Sequence, residues 1–154
     1  MKIDSGASGT YLRKEDEHCL LNLQPTVGPT VTLPDHTKIH SNTSGDLPLP
    51  ILSSAGAKAH VFPQLRSASL LSVGQLCNDN CEVKFTKDYV KVFKNNEIII
   101  SGLRNQKDGL WDVPIPQPSS PTKVANVIIK KDTTNSELIP YFQGCCFSPS
   151  KSTF

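Results

Sequence analysis

Apolar positions along the chain come in short groups broken by turn residues, and no strictly apolar run is longer than residues 98–100. That spacing suits many short strands rather than long helices. Residues 31–33 and 38–40 carry β-branched and apolar side chains on either side of Pro34, Asp35, His36 and Thr37. Pro and Asp favour turns, so this stretch predicts a hairpin. In residues 69–76, Leu70, Val73 and Leu76 recur at helical spacing before Asn78, Asp79 and Asn80, which predicts one short, mostly buried helix. Residues 81–86 and 89–93 alternate around Lys87 and Asp88, and 97–101 follow Asn95 and Asn96. These predict a meander, to which 109–113 add a fourth strand with Trp111 as a core filler.

Composition sharpens this picture. The chain has 154 residues, of which 37% are hydrophobic, with 12 Pro and 9 Gly, a mixture that excludes a helical bundle and fits an all-β domain. Sixteen basic residues against 14 acidic ones leave +2, so the overall balance asks for neither nucleic acid nor an anionic membrane. Lys123, Lys130 and Lys131 read as a solvated basic patch, and nucleic acid is not an expected partner of this segment. No run approaches the roughly 20 apolar residues of a membrane span. Lys2 has no apolar stretch behind it of the kind a secretory signal needs, so cytosol is the expected compartment. The five cysteines, odd in number and with Cys145 adjacent to Cys146, point to free thiols.

Three zones follow: a β domain over 1–113, a Pro/Ser-rich linker over 114–124, and a C-terminal segment over 125–154 that reads as an incomplete piece of something longer. Residues 124–129 suggest a strand at the start of that segment. Residues 132–137 offer helix caps before a short helix limited by Pro140.

The densest polar cluster is Asp4, Ser5, Gly6, Ala7, Ser8, Gly9 and Thr10, directly after Ile3. An Asp followed by a hydroxyl residue and a glycine suits proton-transfer chemistry in a tight loop: the carboxylate handles a proton, the hydroxyl locks the loop, and the glycine lets the backbone approach closely. The same tripeptide also serves as a plain turn or cap. Other constellations carry less. Cys77 and Cys81 have no second pair to complete a zinc site, and His36 and His40 read as surface histidines. Cys145 and Cys146 lack the His and Asp of a thiol nucleophile, and Gly6 to Gly9 lack the Lys of a phosphate loop. No metal and no cofactor is expected.

Taken in order, Asp4 to Ser8, residues 30–35, Phe62 to Leu65, Leu70 to Leu76 and residues 81–85 resemble the protease region of Ty1/copia-type retrotransposon polyproteins. Residues 102–111 look like the segment those polyproteins carry just after it. The resemblance covers about residues 3–113. It implies a retropepsin-like small barrel in which Leu70, Leu71 and Ser72 lie below the Asp loop and lead into the helix. It also implies an aspartic endopeptidase that cuts the polyprotein, in the cytoplasm or within virus-like particles. Asp4 would be catalytic, with Ser5, Gly6 and Ala7 shaping its loop. Two carboxylates sharing a proton are needed, and the chain has no second Asp-Ser-Gly or Asp-Thr-Gly, so a homodimer would supply the other Asp4. A flap over the substrate is implied as well, with Leu33, Pro34, Asp35 and His36 at its tip and a turn at Gly45 as the alternative. The chain departs from the family in having only Met1, Lys2 and Ile3 before Asp4, which is expected to leave sheet edges unpaired. The alternative reading is a non-catalytic β-rich remnant or interaction module.

Overall fold

The computed structural model describes residues 1–118. In chain order it contains β1 (Lys2–Asp4), β2 (Thr10–Arg13), a 3-10 segment (Lys14–Cys19), β3 (Leu21–Pro25), β4 (Thr30–Thr32), β5 (Lys38–His40) and β6 (Thr43–Asp46). Then come α1 (Ser54–Ala57), β7 (Lys58–Phe62), β8 (Leu70–Ser72), α2 (Val73–Asn78), β9 (Glu82–Phe85), β10 (Tyr89–Lys94), β11 (Glu97–Arg104) and β12 (Trp111–Asp112). Strand takes up 42% of the described residues and helix 14%, so the all-β class holds.

Ten strands form one sheet in the order β3-β6-β7-β2-β8-β1-β12-β11-β10-β9, and β4 and β5 form a separate pair. The order is open, so the expected closed barrel is not formed. The physical obstacle is visible at β3: its ladder to β6 is irregular between Leu21 and Gln24, Asn22 has φ 52°, and Pro25 at its end has no donor to offer. β1 itself pairs on both sides, in parallel with β8 (Ile3↔Leu71) and antiparallel with β12 (Lys2↔Asp112), and the sheet's edge strands are β3 and β9.

The hairpin is formed as expected, with Val31 opposite Ile39, and His36 at its tip takes φ 64°. The meander is formed too. Asn95 and Asn96 turn between β10 and β11 with φ of 51° and 65°, the left-handed pair that a tight hairpin turn demands. The third strand runs on to Arg104. The fourth shrinks to Trp111–Asp112, because Gly109 at φ 75° and Leu110 belong to a tight loop before it. Trp111 is half-buried edge-on to Phe85 and donates its indole N–H to the Thr86 carbonyl at 3.1 Å.

The helix expected over 69–76 is overturned in its first half. Leu70 to Ser72 are strand, and only Val73–Asn78 are helical. The two leucines read equally well as helix or strand by periodicity, and parallel pairing with β1 decides for strand. Ser72 then caps the helix, its Oγ accepting from the Gln75 N–H at 3.1 Å. The helix is also not alone: α1 and the 3-10 segment add two short turns.

Side-chain alternation divides the core. Ile3, Leu12, Val61, Leu71, Val90, Val92 and Ile100 face one main core. Tyr11, Phe62 and Leu65 face the other way and, with partly buried Leu70, pack against Ile39, Val31 and Leu33 of the hairpin. Residues 114–118, at the start of the expected linker, carry no strand or helix, although Gln117 donates to the Cys19 sulfur at 3.1 Å. The readings made for the rest of the linker, for 125–154 and for Cys145 and Cys146 lie outside the described residues. Cys19, Cys77 and Cys81 are free thiols, and among the described residues no helix is long and apolar enough to cross a membrane.

Candidate active site

Asp4 is the last residue of β1, at the central crossing of the sheet. Because Ile3 points into the main core, Lys2 and Asp4 stand on the opposite face. That is the face of Leu70, which pairs with both Lys2 and Tyr11, and hence the face that the hairpin covers. Asp4 borders a cleft of about 500 Å³, shared with Lys2, Ala68, Leu70, Asp108 and Leu110. A depression of about 490 Å³ between Lys87, Asp88 and Arg104 is similar in volume. It holds none of the residues of the Asp4 loop, and its Arg104 is committed to the Gly109 carbonyl at 2.9 Å and to the Trp111 ring. The Asp4 cleft is therefore the candidate site.

The loop after Asp4 is short because its glycine makes it so. The Gly6 N–H donates to Asp4 Oδ1 at 2.7 Å, and a side chain at residue 6 would bring its Cβ to 3.3 Å from that oxygen. The other carboxylate oxygen, Oδ2, has no hydrogen bond among the described residues, which leaves it available to a water or a proton. Ser5 is exposed beside it. Ala7 is half-buried, and its carbonyl accepts from the fully buried Ser72 hydroxyl at 2.6 Å.

Three further residues hold this loop. Thr10 is buried; its Oγ1 accepts from the Ser72 N–H at 3.3 Å and its own N–H donates to Gln75 Oε1 at 2.9 Å. The Gln75 amide lies 2.6–3.0 Å from the carbonyls of Ala55, Gly56 and Lys58. Ser8 and Tyr11 share a hydroxyl–hydroxyl hydrogen bond of 2.7 Å, which ties the loop to the aromatic that supports the hairpin. Reasoning from the sequence placed Thr10 in the polar cluster but gave it no role, and it missed Tyr11 and Gln75. The Ser-x-x-Gln spacing of Ser72 and Gln75 is a capping signature that could have pointed to the helix start, though not to the loop that Gln75 reaches.

Asp4 has no proton-sharing partner among the described residues. Asp108 borders the same cleft, but its carboxylate accepts from Lys2 Nζ at 2.6 Å and from the Leu110 N–H at 2.9 Å. The Lys2 ammonium holds Asp108 below the ordinary carboxylate range, as it does Asp112, and such a carboxylate does not hold a shared proton. Of the flap candidates, Leu33 packs against the hairpin's cluster, while Pro34, Asp35 and His36 form its tip, where Asp35 Oδ1 accepts from the Thr37 N–H at 3.0 Å. The Gly45 alternative is overturned: Gly45 lies in β6, in the interior of the sheet, where a Cβ would stand 2.8 Å from the Leu21 carbonyl. Compared with protein-family models, with curated proteins and with solved structures, the chain matches none.

Proposed function

We propose that this chain is one subunit of a homodimeric aspartic endopeptidase of the retropepsin type, from a Ty1/copia-like polyprotein. The observation that carries the reading is Asp4: a carboxylate at a strand end, at the mouth of a cleft, with one oxygen fixed by the Gly6 N–H and the other open. A lone carboxylate of this kind cannot both activate water and protonate a leaving group. Two of them about 3 Å apart share one proton, so that one acts as base on a lytic water while the other polarises the peptide carbonyl. With no free second Asp in the cleft among the described residues, the partner subunit's copy of the same loop supplies it. The hairpin β4–β5, on the same face as Asp4, serves as the flap over an extended polypeptide substrate. The buried bonds from Ser72 and Thr10 keep Asp4 in register with its partner, because positioning within fractions of an ångström governs such chemistry.

The test is hydrolysis of a mixed peptide library near pH 5 by the wild-type chain and by Asp4→Asn. The variant is expected to keep its fold and its mass in solution and to lose cleavage entirely. Equal cleavage by both chains would falsify the assignment.

A further inference from the structure

One element of the cleft lies outside the catalytic loop and its flap. Lys2 is the residue from which β1 enters the site, and its side chain is mostly buried, with 16% exposed. Its ammonium meets Asp108 Oδ2 at 2.6 Å and Asp112 Oδ1 at 2.8 Å, which links the first strand to a loop 106 residues later. The loop itself is tightly wound. The Asn105 N–H donates to the Leu110 carbonyl at 2.7 Å and the Gly109 N–H to the Asn105 carbonyl at 2.8 Å. The Lys107 N–H donates to Asn105 Oδ1 and the Leu110 N–H to Asp108 Oδ1, both at 2.9 Å. Asp108 thus grips the backbone of Leu110 with one oxygen while Lys2 grips the other. Of the described residues of this loop, Asp108 and Leu110 line the cleft, and Leu110 is half exposed.

The topology adds the second half of the argument. β8 and β12 flank β1 on its two sides, so Leu70 at the start of β8 and Leu110 just before β12 stand on opposite sides of the strand that carries Asp4. Half-exposed Leu110 and partly buried Leu70 both line the cleft that Asp4 borders, and such apolar walls make a slot for an apolar side chain whose width depends on where the loop is held.

We propose that Leu110, held in place by the Lys2–Asp108 ion pair, is a specificity-determining residue of the Asp4 cleft that limits the size of the apolar side chain admitted beside the scissile bond. The inference rests on the protease reading, and Lys2 and Asp108 act in it as positioning residues. Removing the leucine widens the slot by several methyl-sized groups, and one such group in an apolar pocket changes selectivity about tenfold or more.

The test uses peptides identical except for Ala, Leu or Phe at the cleaved position, with kcat/KM measured for wild type, Leu110→Ala, Lys2→Met and Lys2→Arg. Leu110→Ala is expected to raise the Phe-to-Leu ratio about tenfold. Lys2→Met, which keeps the side-chain stem and removes the charge, is expected to move the ratio the same way and to speed amide exchange at Gly109 and Leu110, while Lys2→Arg restores both. Exchange reads the loop without any need for activity, so a folding defect would show as faster exchange throughout the sheet. An unchanged ratio in Leu110→Ala, or unchanged exchange in Lys2→Met, overturns the inference and leaves the protease reading standing. A wild-type chain that cleaves none of the peptides overturns both.

Discussion

The loop that presents Asp4 and the meander β9–β12 are both made of short strands and tight turns, yet they are fastened over different distances along the chain. In the meander each strand pairs with its neighbour in sequence: β9 with β10, β10 with β11, β11 with β12. The Asp4 loop depends on residues more than sixty positions away, with Ser72 reaching the Ala7 carbonyl and Gln75 the Thr10 N–H. The meander can form as soon as its own residues meet. The loop takes shape only once β8 and α2 have docked, and it is therefore the part that a single polar substitution far away can loosen.

The largest expected effect is at the seam between the two regions. Lys94 at the end of β10 pairs with Asp79, whose carboxylate also accepts from the Ser53 N–H at 3.1 Å, and both charged side chains are close to nine-tenths buried. Asp79→Ala strands the ammonium and is expected to cost about 3 kcal/mol in urea unfolding, the low end for breaking a buried pair. Acid should act on the same bond. Lys94 holds the folded Asp79 below its ordinary pKa, so the stabilisation is fully present above the unfolded value of about 3.9 and is lost as pH falls through the lower folded value. A urea series from pH 7 to pH 2 should show this decline in wild type and a flatter curve in Asp79→Ala. Hydrolysis near pH 5 sits above the window, so a loss of cleavage there does not report the breaking of this pair.

Next in size is Ser72→Ala, which removes a helix cap and the donor to Ala7 together. About 1–2 kcal/mol is expected, with faster amide exchange concentrated at α2 and residues 7–10 rather than in the meander. The smallest effect belongs to the meander's own turn. Asn96→Ala forces an alanine into φ 65° and is expected to cost about 1 kcal/mol, with exchange changes confined to β10 and β11. If Ser72→Ala disturbed the meander as much as the Asp4 loop, the contrast between the two regions would not hold.

The same contrast explains what could be read in the sequence. The hairpin and the meander were legible because alternation and turn residues such as Asn95, Asn96 and Asp35 lie within the segment they shape. Leu70 and Leu71 were misread because their strand is defined by Ile3, far back in the chain, and nothing local separates a buried strand from a buried helical turn. Closure into a barrel was expected from resemblance, and the irregular, exposed β3 edge was invisible to it. At the site, Asp4 and Gly6 could be picked out because their chemistry is local: one residue's N–H on another's carboxylate two positions away. Thr10, Gln75, Lys2 and Asp108 could not, since each acts through a partner that only the fold brings near.

The central claim, one Asp4 from each of two subunits, is tested most directly by mixing. Wild-type chain is equilibrated with Asp4→Asn at equal concentration, the total held constant, and hydrolysis is compared with that of wild type alone. If the active unit contains two Asp4 carboxylates, only about one quarter of the dimers carry both, and activity is expected to fall to about one quarter. A fall to about one half would mean that each chain works alone and would contradict the account.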